Sequence, residues 1–236
     1  MQKSLFRYWI ALWLAATVLF WYPINTFLLR MVFLASMLGV WAGCFYFGRR
    51  KKFFCAGLLL VTLLAAGFLS CPGRDFDRKQ LRDGYVHALR GYAGTKYIWG
   101  GENSLGIDCS GLVRAGLIKA NFQAGLRTLN PQLMRFALSL WWRDASAEAL
   151  GQEYRHQTKF LLPATNLNEL DSSKIRPGDI AVTVSGVHVM AFLGDRQWIE
   201  ADPDIGKVVI VQVPERTNPW FQETFKILRW RELVAE

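Results

Sequence analysis

The chain has 236 residues, is 52% hydrophobic and carries a formal net charge of +9, a length that allows one or two domains. Residues 1–73 hold seven Lys or Arg and no Asp or Glu, so +7 of the +9 lies there and +2 remains for residues 74–236. The excess charge sits between apolar runs and not in a Lys/Arg stripe on the polar part, which excludes a DNA- or RNA-binding face.

Three apolar runs open the chain, about 8–22, 31–48 and 53–70. The hydrocarbon core of a bilayer needs about 20 residues of helix, with roughly 17–25 usual. The second and third runs meet this, and the first is short. Tyr8, Trp9, Trp21 and Tyr22 lie near the ends of the first run, as interfacial anchors do. Arg49, Arg50, Lys51 and Lys52 form the densest basic cluster, between runs two and three. The positive-inside rule places that loop in the cytoplasm, with Lys3 and Arg7, and everything after Cys71 outside. If the first run fails to span, only the N-terminus changes side. A cleaved signal peptide is the competing reading of the first run, and two further spans argue against it. Phe68-Leu69-Ser70-Cys71 is a poor match to a lipoprotein cleavage box. Cys44 and Cys55 lie in or beside the spans, so Cys71 and Cys109 alone are left outside. A disulfide-stapled fold is not expected.

Cys71-Pro72-Gly73 breaks the chain between a membrane module, residues 1–73, and a domain of residues 74–236. Residues 78–92 place Leu81, Tyr85, Val86, Leu89 and Tyr92 at helical spacing, with Asp77 as N-cap and Gly94 as stop. A Gly-rich stretch, 99–106, leads into a second helix opened by Cys109. Residues 120–173 are less regular, apart from a helix over 131–143 capped by Asn130. Pro177-Gly178-Asp179 is a turn. After it the period changes to that of strands, at 180–184, 187–193, 197–201, 208–213 and 225–230. Helices followed by an antiparallel sheet make an α+β domain.

The chemistry concentrates at Cys109. A nucleophilic cysteine must be a thiolate or be converted into one by a base. Its place where a loop becomes a helix supplies free N–H groups and the positive dipole end. Three histidines are available as base. His87 falls within a helix and His156 in the irregular region, beside Glu153 and Arg155. His188 begins an apolar strand downstream of the cysteine, and elimination favours it. Glu200 is a carboxylate inside the next strand, Gln197–Ala201, and needs a polar partner. It shares a face with His188 only if the hairpin loop is odd-length or bulged. A two-residue Gly194-Asp195 turn would pair His188 with Ala201 and turn Glu200 away.

Tyr97-Ile98-Trp99-Gly100-Gly101, followed by Gly106-Ile107-Asp108-Cys109-Ser110-Gly111-Leu112-Val113, resembles the nucleophile motif of the NlpC family of papain-like cysteine peptidases. Arg176-Pro177-Gly178-Asp179 resembles that family's turn before the core sheet. His188-Val189 through Gly194, and Trp198-Ile199-Glu200-Ala201, resemble its histidine strand and third-residue strand. The resemblance covers about residues 78–202. It implies a papain-like core of helices and antiparallel sheet and a Cys–His pair. The implied activity is cleavage of amide bonds in peptidoglycan stem peptides, often between D-glutamate and diaminopimelate. Tyr97 would match the family's tyrosine near the nucleophile. Asp108 would match the acidic residue before the cysteine, which orients the loop. Lipid-acting, circularly permuted relatives place His before Cys, and the order here is the reverse.

Two features depart from the pattern. Glu200 stands where many members carry His. The segment before Pro177 is long, and Leu133, Phe136, Leu140, Trp141 and Trp142 in it could cap a groove, rest on the membrane or pack as a satellite helix. The expected mechanism needs no metal or cofactor: His188 takes the proton of Cys109 and Glu200 holds His188. The expected partner is peptidoglycan, at the outer face of a bacterial cytoplasmic membrane. Two other classes remain: an acyl or amide transferase acting on lipid or lipoprotein, and an inactive binding module with an envelope protein partner.

Overall fold

The computed structural model describes residues 2–234. The first three helices are α1 (Gln2–Trp21), α2 (Phe27–Gly48) and α3 (Lys52–Ser70). All three are long and apolar enough to cross a membrane. Helix α1 starts well before the apolar run read from sequence, so its 20 residues reach the length a bilayer requires. The three helices run antiparallel. Phe6 packs on Phe47, Trp9 donates to the Val40 carbonyl at 3.0 Å, and Trp41 donates to Thr62 at 3.1 Å. Lys3, Arg7 and the 49–52 cluster therefore share one end, and the rest of the protein leaves from the other.

Helix α4 (Arg78–Arg90) begins at the expected cap, with the Asp77 carboxylate accepting from the Lys79 and Gln80 N–H groups. A short hairpin of β1 (Glu102–Asn103) and β2 (Gly106–Ile107) leads into α5 (Cys109–Thr128). Helix α6 (Pro131–Trp142) follows under its Asn130 cap, then the short helix α7 (Ala147–Gly151). The sheet contains β3 (Thr158–Ala164), β4 (Ile180–Thr183), β5 (Val189–Gly194), β6 (Gln197–Asp202), β7 (Lys207–Gln212) and β8 (Phe225–Trp230). Its order is β3-β8-β4-β5-β6-β7, antiparallel throughout. The domain is thus α+β, as the sequence pattern predicts, and β3 lies within residues 120–173, where that pattern is irregular.

The central strands β4, β5 and β6 are buried on both faces of the sheet, and the period of two shows which residue goes where. Val189, Ala191 and Leu193 of β5 join the cluster formed with α4 and α5. Met190 and Phe192 enter the cluster on the opposite face, with Trp198, Phe221 and Phe225. The Pro177-Gly178-Asp179 turn is fixed by Asp179. Its carboxylate receives two bonds from Arg229, at 2.6 and 2.7 Å, and one from the Arg176 N–H at 2.8 Å.

Helix α6 is a seat for α2 and α3. Leu133 and Leu140 are buried in the core, while Trp141 and Trp142 lie edge-on to Phe33 and Phe27 of α2. Arg135 donates at 2.7 Å to each of the Leu69 and Cys71 carbonyls, closing the C-terminal end of α3 with a cation.

Candidate active site

The nucleophile wall is built from a tight loop and a capped helix. Asp108 is the N-cap of α5. Its Oδ1 accepts from the Gly111 N–H at 2.6 Å and from the Ser110 hydroxyl at 2.9 Å, and its Oδ2 accepts from the Gly100 N–H at 2.7 Å. One carboxylate thus ties the Gly-rich loop to the first turn of the cysteine helix. The glycines allow backbones to meet. A Cβ at Gly111 would lie 2.1 Å from the Gly101 carbonyl oxygen, and one at Gly101 would lie 2.5 Å from the Gly106 oxygen. Cys109 is the first helical residue, buried except for an edge.

That edge opens on a cavity of about 470 Å³. Tyr97, Asp108 and Ser110 line it beside Cys109, as do Ala147 of α7 and Val187 of the loop before β5. Trp99 stands at its rim, 82% exposed. The Tyr97 hydroxyl is pushed up to about 12, first by burial and then by the charges of Cys109 and Asp108.

The candidate base lies beside Cys109, behind the residues that line the cavity. His188 and Glu200 are both buried, and the imidazole Nε2 lies 2.7 Å from Glu200 Oε2. His188 stands one residue ahead of β5 and is fixed to β4. Its N–H donates to the Thr183 hydroxyl at 3.0 Å, and its carbonyl receives the Thr183 N–H at 3.0 Å. Burial alone would lower the pKa of His188. Hydrogen bonds with Cys109 and Glu200, and the charges of both, outweigh burial and hold the imidazolium up to about 9. Since Nε2 is taken by Glu200, Nδ1 is left for Cys109.

The register condition set by the sequence is met through a bulge. Gly194 pairs with Gln197, and the two-residue turn between them, Asp195-Arg196, has φ of 50° and 59°. One residue further along, the pairing slips, so that Phe192 opposes Trp198 and Ala191 opposes Ile199. Leu193 is the extra residue. Without it His188 and Glu200 would point to opposite faces.

Two residues of the base wall escaped sequence reasoning. Asn218 donates from Nδ2 to Glu200 Oε1 at 2.7 Å and to Asp202 Oδ2 at 3.1 Å. Trp220 stacks on the imidazole, with ring centroids 4.4 Å apart and planes at 23°. Both belong to the 3-10 turn Pro219–Gln222 and its cap, for which Asn218 Oδ1 accepts the Trp220 N–H. The one local signal was Asn218-Pro219, which announces a turn and nothing about its neighbours. The remaining histidines, His87 and His156, are exposed and make no contact with the His188–Glu200 pair.

The model of the NlpC/P60 family matches residues 94–229. No curated protein matches the chain. Among solved structures it is similar to NlpC2 from Trichomonas vaginalis, with 17% identity over 69% of this chain and 50% of that one and a TM-score of 0.42. It is also similar to the P60 domain of an antigen from M. avium subspecies paratuberculosis, with 18% identity over 63% of this chain and 95% of that domain and a TM-score of 0.38. A third is the peptidoglycan hydrolase RipB from Mycobacterium tuberculosis, with 19% identity over 67% of each chain and a TM-score of 0.41. The chain spans about half the length of the two Trichomonas proteins it matches. The family match runs from the Gly-rich loop into the last strand of the sheet, more than half of the chain, and the protein belongs to the NlpC/P60 family.

Proposed function

We propose that the protein is a membrane-anchored cysteine peptidase that hydrolyses amide bonds in peptidoglycan stem peptides. Cys109 is the nucleophile, His188 the base and Glu200 the group that orients it. The observation that carries this reading is the buried His188–Glu200 pair at 2.7 Å, set beside Cys109, whose exposed edge opens on a cavity. Residues 74–236 form the catalytic unit. Residues 1–73 hold it at the outer surface of the cytoplasmic membrane, with the basic end of the helices inside.

His188 Nδ1 accepts the thiol proton, and the imidazolium is stabilised by Glu200 across the ring. The thiolate attacks the amide carbonyl carbon. The oxyanion that forms is held by the Cys109 N–H, at a helix start whose first N–H groups have no intrahelical acceptor. Collapse of the tetrahedral intermediate breaks the C–N bond, and the imidazolium gives its proton to the leaving amine. A water then attacks the thioester, losing a proton to His188, and the thiol is regenerated as the acid departs. Asp108 acts by fixing the loop and the helix start, and Tyr97 by lining the cavity beside the sulfur. Asn218 and Trp220 hold the far side of the Glu200–His188 pair.

An assembled thiol, imidazole and carboxylate weigh against an inactive binding module. The test uses the full chain in detergent with peptidoglycan and defined muropeptides, alongside Cys109→Ala, with products identified by mass spectrometry. New stem-peptide fragments that need Cys109 are expected. An identical product pattern from Cys109→Ala overturns the reading.

A further inference from the structure

The connection between α1 and α2 forms part of the cavity wall. Ile24 pairs with Gly101, Asn25 N–H donates to the Gly100 carbonyl at 3.0 Å, and Glu102 N–H donates to the Pro23 carbonyl at 2.9 Å. Gly100 in turn donates to Asp108, the cap of the cysteine helix. Asn25, Thr26 and Arg30 stand in the lining of the cavity that holds Cys109. Arg30, near the start of α2, is buried and lies 3.1 Å from Glu102 Oε2, while Arg114 of α5 lies 2.7 Å from Glu102 Oε1. Asn25 Nδ2 also donates to Glu102, at 2.5 Å. A buried guanidinium in a membrane helix is costly unless paired, and here its partner belongs to the loop that carries the nucleophile.

A second cavity of about 470 Å³ adjoins the first and shares Asn25, Arg30 and Glu102 with it. Its character is different. Leu19 and Phe20 of α1, Leu29 and Phe33 of α2 and Phe122 of α5 make it apolar, and α1 and α2 among its walls are helices fit to lie in a bilayer. Trp21 and Tyr22, the residues at the end of α1, are of the kind that sits at the membrane–water boundary. With Trp21 and Tyr22 at that boundary, the Cys109 cavity, the less apolar of the two, lies at headgroup level and the other faces the chains beneath.

We infer, resting on the peptidase reading above, that the substrate is a stem peptide carried on a long-chain membrane lipid. The peptide occupies the Cys109 cavity and the lipid chain occupies the apolar cavity between α1, α2 and α5. The Asn25–Arg30–Glu102 wall between them separates the two parts of one ligand. Binding energy from the lipid chain then serves the reaction at a distance from the scissile bond.

The full chain is placed in nanodiscs and given two probes: a polyprenyl-diphosphate disaccharide peptide, and the same disaccharide peptide without lipid. The expected result is a kcat/KM at least about tenfold higher for the lipid-linked probe, which is the scale set by one well-buried part of a ligand. Phe122→Glu, at a half-exposed position, should bring the ratio of the two values towards one. As a measurement on the unmodified protein, polyprenyl diphosphate alone should inhibit cleavage of the lipid-linked probe. Equal kcat/KM for the two probes overturns this inference and leaves the peptidase reading in place. Cleavage of neither probe, with Cys109 still open to alkylation, overturns both.

Discussion

The two walls of the site are held by different physics. On the nucleophile side the restraint is local and mostly backbone: Asp108 caps its own helix and catches a loop eight residues back, and glycines let chain segments touch. On the base side the restraint is non-local and made by side chains. His188, Glu200 and Asn218 come from three segments, and Trp220 covers the ring. A local wall is written as one contiguous motif. A non-local wall is written as single residues whose meaning depends on how strands register. Disturbing the first should cost shape, and disturbing the second should cost proton chemistry.

The largest effects come from removing the reacting groups, where this contrast vanishes. Cys109→Ala and His188→Ala should each lower kcat/KM by about 10⁴-fold or more, measured on a defined muropeptide, because members of such a unit fail together. Glu200→Gln comes next, with a loss of about 10²- to 10⁴-fold in kcat. It should also move the alkaline limb of the pH–rate profile from about 9 to lower pH, since the lost anion no longer holds the proton on His188. An unmoved limb would mean that Glu200 does not govern the imidazole.

Asn218→Ala should cost about tenfold in kcat, the scale of one hydrogen bond to a charged group, and shift the same limb by less than Glu200→Gln does. Asp108→Ala sharpens the contrast from the other wall. It should destabilise the fold by about 1 kcal/mol through the lost cap, read as a lower Tm, and leave the alkaline limb in place. The base wall has its own signature in stability. His188 binds its proton more firmly in the folded chain, about 9 against an ordinary 6.5. Its contribution is therefore full below about pH 6.5 and is lost as pH rises through about 9, and Tm of Glu200→Gln should fall less over that range than Tm of the parent.

The same contrast explains what could be read from the sequence. Helices α4, α5 and α6 were legible because caps and spacing are short-range, and Asp77, Asp108 and Asn130 all sit as N-caps. Strand β3 was not, because Lys159 and Pro163 suit an edge strand and read equally well as loop. The His188–Glu200 pairing was legible only as a condition, since one extra residue at Leu193 decides which face Glu200 takes. Asn218 and Trp220 were not legible at all. Arg30 stood out in no sequence pattern, since its partner Glu102 lies 72 residues away in the chain.

The clamp of Arg135 on the end of α3, together with the tryptophans of α6 against α2, makes the attachment a mount and not a tether. In the membrane-anchored reading proposed above, the mouth of the site would have one height and one tilt. Encounters are then a two-dimensional search, set by lateral diffusion and by the number of target peptides per unit area of membrane. Wall polymer beyond the reach of that fixed mouth is spared, however abundant it is.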